Sequence, residues 1–173
     1  MNLIVTCSRH MEEDAVNEIT KFLQDIGDIE SEIEISEFSG IITVSTSLNP
    51  FDLVEKIRTK ILDEPWSVRY CHRFIPIQET TGTSLDEITK AVQKHVNIMK
   101  PTDSYRITIE KRGSDLSSKN MIEEIAKIIQ NKVSLEEFDW NVIIEVLGKT
   151  AGISVLKDKD IVSTLKVKRD SME

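Results

Sequence analysis

Apolar residues recur at Met11, Ala15, Ile19, Phe22, Leu23 and Ile26, the spacing of one helical face, and the run stops at Gly27. Ahead of it, Asn2–Cys7 alternates and is β-branched, as a strand is. Ile29–Ile35 sets apolar positions against Glu32 and Glu34, and Phe38–Val44 follows across a short polar turn containing Gly40. Asn49-Pro50 then introduces a second helical stripe, Phe51, Val54, Ile57 and Ile61, and Trp66–Ile77 returns as a strand. The order is β-α-β-β-α-β, which packs two helices on one face of an antiparallel sheet.

Downstream, Thr83-Ser84 precedes Leu85, Ile88, Val92, Val96 and Met99, a capped amphipathic helix that stops before Pro101. Tyr105, Ile107 and Ile109 alternate as a strand. Ser117-Ser118 leads into Met121, Ile122, Ile125, Ala126, Ile128 and Ile129, a further helix, and Val142–Leu147 and Gly152–Leu156 read as buried strands. A last short strand is expected over Ile161–Val167. The predicted class is α+β: a ferredoxin-like domain over residues 1–69, an α/β domain over 70–168, and a tail over 169–173. The Trp66–Gln78 strand is the expected junction.

Charge is unevenly spread along the chain, whose net is −8. Residues 1–68 hold 5 Lys and Arg against 14 Asp and Glu, whereas residues 69–173 hold 17 against 16. A basic face on the second half therefore acts on a nearby polyanion even though the whole chain is acidic, because attraction is felt over about one Debye length, roughly 8 Å. Cys7 and Cys71 lie in apolar runs without CxxC spacing and read as buried thiols in a reducing compartment. No segment has the composition of a signal peptide or a membrane span, so the expectation is a cytoplasmic protein without membrane association. His10, His72 and His95 lack companions at ligand spacing, and no GxGxxG, GxxxxGK[ST] or GxSxG string occurs. No metal, cofactor or catalytic group is expected.

Several separated segments carry a more specific signal. These are Cys71-His72-Arg73-Phe74-Ile75-Pro76-Ile77, Thr80-Thr81-Gly82-Thr83 read as a turn, Tyr105–Arg112, Ser118-Lys119, Ile143–Val146, and Gly152–Asp158. In this order they resemble the stand-alone THUMP proteins that act as adaptors in tRNA N4-acetylcytidine formation, and the first half is similar to the ferredoxin-like domain that precedes THUMP domains. The resemblance implies a non-catalytic chain that holds tRNA, at its single-stranded acceptor end, for a separate RNA acetyltransferase. Enzymes of the family fuse the THUMP domain to a further domain, and the expectation is that none follows residue 168 here.

The resemblance, together with residue chemistry, nominates the contacts. Lys111, Arg112 and Gly113 leave a strand as Ser118, Lys119 and Asn120 open a helix, so cations and free helix N–H groups converge on one loop; solvated turn charges with a serine cap explain them from the residues alone, and the resemblance implies a phosphate site. Thr81, Gly82 and Thr83 offer hydroxyls and a glycine at another helix start, where plain N-capping explains them equally. Arg73 is either an exposed basic contact or a structural ion pair to Glu110 or Glu145. Lys149, Lys157, Lys166 and Lys168 extend a basic stripe, or are simply solvated. Tyr105 and Trp140 are candidate stacking aromatics with a core role as the plainer explanation. Two further readings stand beside the adaptor. One is an RNA-binding subunit for a thiolation or methylation enzyme. The other is a small-molecule-binding or acylphosphatase-like protein using Arg9, although Ser8-Arg9-His10 lacks a glycine-rich cradle.

Overall fold

The computed structural model describes residues 1–172. In chain order the elements are β1 (Leu3–Cys7), α1 (Glu12–Ile26), β2 (Glu32–Ile35), β3 (Ile41–Ser45), α2 (Pro50–Asp63), β4 (Cys71–Pro76), β5 (Glu79–Thr81) and α3 (Leu85–His95). β6 (Ser104–Arg112), α4 (Ser118–Ile128), β7 (Lys132–Val133), β8 (Trp140–Leu147), β9 (Thr150–Leu156), β10 (Val162–Ser163) and α5 (Thr164–Ser171) follow. The class is α+β. The elements form two compact units, the first made of Met1–Ile77 and the chain from Lys159 onward, the second of Gln78–Asp158.

The first unit is an antiparallel sheet in the order β10-β4-β1-β3-β2. β1 through β4 have the ferredoxin-like arrangement that the element order predicts. α1 buries Ala15, Ile19, Phe22 and Leu23, and Gly27 ends it in the left-handed region at φ 92°, its N–H donating to the Gln24 carbonyl. α2 opens as its sequence suggests: the Asn49 side chain accepts from the Phe51 amide at 2.9 Å, and Pro50 occupies the first turn. Phe74 is fully buried and meets Phe22 edge-on, ring centres 6.1 Å apart, at the heart of this core.

Three stretches differ from the hydropathy reading. Residues 28–31 turn before β2, because the buried Asp28 carboxylate accepts hydrogen bonds from the Ser31 and Thr46 hydroxyls and ties this segment to the end of β3. Burial opposes ionisation of Asp28, but those hydroxyls outweigh it and hold its pKa below the usual carboxylate range. Trp66 lies in a short 3-10 turn, Pro65–Ser67, and the strand begins only at Cys71. The Glu18 carboxylate organises that entrance by accepting the amides of Arg69, Tyr70 and Cys71. Lastly, the strand expected over Ile161–Val167 is two residues of β10 followed by α5. Val162, Thr164 and Val167 turn inward while Leu165 is exposed, so a run too short to distinguish the two periods is helical from Thr164.

The tail expected over 169–173 continues α5 to Ser171, and Glu173 lies outside the described residues. β4 pairs with β1 and β10, which is why the first unit runs to Ile77 and takes back residues beyond 158, past the sequence-based limits at 69 and 168.

The second unit is a mixed sheet in the order β5-β9-β8-β6-β7, with α3 and α4 covering it. β6 runs parallel to β8 and β7, and β9 is antiparallel to both β8 and β5. The expected pairing of Ile143–Val146 with Gly152–Val155 is present, Ile144 lying opposite Ile153. β8 is buried from Trp140 to Val146, which accounts for its unbroken apolar run. Thr80 and Thr81, read as a turn, belong to the short edge strand β5.

Candidate nucleic-acid interface

Strand register decides which candidate residues meet. Arg112, the last residue of β6, lies opposite Leu147 at the end of β8. Its carbonyl accepts the Gly148 N–H at 2.8 Å, so the β8–β9 hairpin, Gly148-Lys149, turns beside it. Gly148 takes φ 63°, which this tight reversal needs. β9 then runs back with Ala151 opposite Thr81. One end of the sheet therefore gathers Thr81, Gly82 and Thr83, Lys111, Arg112 and Gly113, and Lys149. The loop after β6 delivers Ser118, Lys119 and Asn120 to the same end, fastened by a hydrogen bond from Lys111 Nζ to the Leu116 carbonyl.

The two helix starts at this end are chemically unlike. α3 is closed by a capping box: Ser84 Oγ accepts the Glu87 amide at 3.1 Å, and the Glu87 carboxylate folds back onto Ser84. A Cβ at Gly82 would collide with that carboxylate, so glycine makes room for it. Asp86 and Glu87 thus fill the first turn of α3 with negative charge, and a phosphate there meets repulsion. At α4, Ser117 caps the Asn120 amide at 3.2 Å, the first turn has no acidic residue, and Lys119 is exposed within it. The anion-receptive helix start is that of α4.

Arg112 has a second role. Its guanidinium pairs with Glu145 at 2.9 Å, the carboxylate being 4% exposed and the arginine side chain 26%. This resolves the alternatives for Arg73: Glu145 is held by Arg112, and the Arg73 guanidinium has no hydrogen-bond or ion-pair partner among the described residues. By contrast, Lys119 and Lys149 are exposed and unpaired among the described residues. The far end of the sheet mixes Asp103, Glu136, Glu137 and Asp139 with Lys100, Arg106, Lys132 and Lys157. Charge of both signs stands at each end, so an anion is directed by the local setting of Lys119 and Lys149 and not by a gradient along the sheet.

Residues 82–156 match the family model described as THUMP domain. The chain carries a THUMP domain. No curated protein matches the sequence. Among solved structures, PH1313 from Pyrococcus horikoshii aligns with 91% of this chain and 55% of its own, at TM-score 0.70 and 18% identity. TrmN from Thermus thermophilus aligns with 88% and 44%, at TM-score 0.63 and 13% identity. A 4-thiouridine synthetase, solved as an RNA complex with bound ATP, aligns with 93% and 41%, at TM-score 0.57 and 12% identity. These likenesses are of fold, and the chain spans about half the length of these proteins or less.

The remaining nominated residues lie away from the Lys119–Lys149 end of the THUMP sheet. Lys157 is at the opposite end of β9, its Nζ 5.0 Å over the Trp140 ring. Trp140 is 8% exposed and donates its indole N–H to Asp103 at 2.8 Å, and Tyr105 is fully buried, so both candidate aromatics serve the core. Lys166 and Lys168 are on α5, and Arg73 on β4, all in the first unit. This redistribution alters the charge picture, since the THUMP-bearing unit Gln78–Asp158 holds 11 Lys and Arg against 13 Asp and Glu. Its affinity for a polyanion therefore depends on where the cations sit.

The sequence reading passed over Arg69, His72 and Ser163, which line a cavity with Arg73 and Lys168. Their grouping depends on α5, which begins within Ile161–Val167, a run whose pattern fits a strand. The sequence reading also passed over Trp66, the large aromatic most open to solvent at 73% exposure. Burial raises the Cys7 thiol to about 11 and the Cys71 thiol further, in keeping with unreactive core thiols. Among the described residues no His, Cys, Asp and Glu group has metal-site geometry, and no helix is long and apolar enough to cross a membrane.

Proposed function

We propose that this chain is a non-catalytic tRNA-binding adaptor. Its THUMP unit captures tRNA by the acceptor end, and a separate RNA cytidine acetyltransferase modifies the tRNA so presented. The observation that carries the binding step is the α4 start. Lys119 is exposed and unpaired in a first turn that holds no carboxylate, and Lys149 is exposed and unpaired on the hairpin at the same end of the sheet. The fold likeness to a 4-thiouridine synthetase solved with RNA supports a nucleic-acid ligand. The acetylation partner rests on the ordered segments from Cys71 to Asp158 that resemble the adaptor family. Acetyl donor and any nucleotide chemistry belong to that partner, and the adaptor acts in the cytoplasm.

The likeness to the synthetase also favours a second reading, an RNA-binding subunit for a thiolation or methylation enzyme. Nucleoside analysis of tRNA from cells lacking the chain separates the two. The adaptor reading expects N4-acetylcytidine to disappear from tRNA and to return on re-expression. Unchanged acetylation refutes it, and loss of a thiolated or methylated nucleoside in its place transfers the adaptor role to that enzyme.

A further inference from the structure

A cavity of about 490 Å³ lies between the entrance to β4 and the start of α5, lined by Arg69, His72, Arg73 and Lys168 with Ser163, Thr164 and Leu165. No carboxylate is among its described lining residues. That is unexpected in residues 1–77 and 159–173, which hold 11 Lys and Arg against 17 Asp and Glu. The guanidinium groups of Arg69 and Arg73 have no partner among the described residues and are open to a ligand.

The walls are fixed by contacts that leave those two forks free. The Thr164 hydroxyl donates to the carbonyls of Cys71 and His72, at 2.8 and 3.2 Å, and so fastens α5 to β4. Lys168 Nζ donates to the Val68 carbonyl, which holds its charge at the wall. His72 Nε2 lies 3.0 Å from Ser8 Oγ, and Glu18 sets the backbone of Arg69 through its amide. Ser163 precedes α5 without making a side-chain cap hydrogen bond. Two unpaired planar forks on a braced wall match the oxygens of a phosphate, and the volume leaves room for an adjoining nucleoside.

We propose that this cavity is a phosphate site of the first unit and that it holds a phosphodiester of the bound RNA, with Arg69 and Arg73 as the principal ligands. The inference rests on the tRNA-binding reading and adds a second anchor to it. A chain gripping RNA at two places has a steeper salt dependence than the THUMP unit alone supplies.

The test is tRNA binding by the full chain, followed by fluorescence anisotropy across a salt series. Wild type is compared with Arg69→Ala/Arg73→Ala and with Arg69→Lys/Arg73→Lys. Both side chains are exposed and their backbone contacts are untouched, so thermal unfolding should be unchanged. The alanine pair is expected to bind roughly tenfold more weakly near 0.1 M salt, with a log–log slope shallower by about one to two. The lysine pair should recover the slope and only part of the affinity. Inorganic phosphate at fixed ionic strength, followed by the His72 ring resonances, identifies the ligand's source. If wild type binds tRNA and the alanine pair matches it in affinity and slope, the site is refuted while tRNA binding stands. If, in that case, phosphate alone shifts His72, the cavity takes free phosphate and the RNA assignment is equally refuted. If wild type does not bind tRNA at all, both readings fall.

Discussion

Arg112→Ala is expected to destabilise the THUMP-bearing unit by about 2–4 kcal/mol, because it leaves the buried Glu145 carboxylate without its cation. Removing the cation from a buried pair costs up to the upper end of that range. Partial exposure of Arg112 lets water reach the site and lowers the figure. The pair ties the ends of β6 and β8 together at the place where the hairpin and the α4 loop diverge, so its loss also loosens the candidate interface. Removing both charges with Arg112→Met/Glu145→Leu should restore most of the stability, since a packed apolar pair of similar volume replaces a desolvated ion pair at little net cost. Urea unfolding of the two variants checks this. A loss below about 0.5 kcal/mol for Arg112→Ala would show that the pair behaves as an ordinary surface contact.

A second large effect is expected on binding. Lys119→Ala/Lys149→Ala should weaken tRNA affinity by about 2 kcal/mol, roughly 30-fold, and make the salt slope shallower by about two, with stability unchanged. Both lysines are exposed and make no contact whose removal would disturb the fold. Lys119 lies in the first turn of α4, which holds no carboxylate, and Lys149 lies on the β8–β9 hairpin at the same end of the sheet. Lys111 is a weaker probe because its ammonium already holds the Leu116 carbonyl. Anisotropy titrations at two salt concentrations provide the check. Equal affinity in wild type and variant would remove this end of the sheet from the interface.

The contrast between Arg112 and Lys119 shows where sequence reasoning succeeds and where it stops. Element types were legible because long apolar stripes such as Ala15–Leu23 and Leu85–Val92 admit one period only. Helix starts at Asn49, Ser84 and Ser117 were legible because capping chemistry is local. The loop that brings Lys111 and Lys119 together was legible for the same reason. Lys149 joins them through the register of β6, β8 and β9, which no local pattern encodes. The Arg112–Glu145 pair spans 33 positions and likewise depends on that register.

Errors concentrated where the chain is short in period or joined at a distance. Ile161–Val167 offers too few residues to separate a strand from a helix, and its misreading hid the company that Lys168 keeps with Arg69 and Arg73. Counting charge by halves of the sequence assigned the C-terminal lysines to the wrong surface, because the chain beyond Asp158 packs back with β4 and α2. The helix start at Ser84 was correctly placed, but its anion-binding capacity was not readable. A glutamate three positions later occupies it in space as well as in sequence.

The central claim is that the Lys119–Lys149 end of the THUMP sheet captures the single-stranded acceptor end of tRNA. It is tested most directly by titrating the purified chain with bulk tRNA, with the same tRNA trimmed of its 3′ single strand, and with duplex RNA, each at two salt concentrations. The account predicts tight, salt-dependent binding of intact tRNA that falls at least tenfold on trimming, with duplex RNA bound no better than the trimmed species. Equal affinity for all three, or no affinity for any, would contradict it.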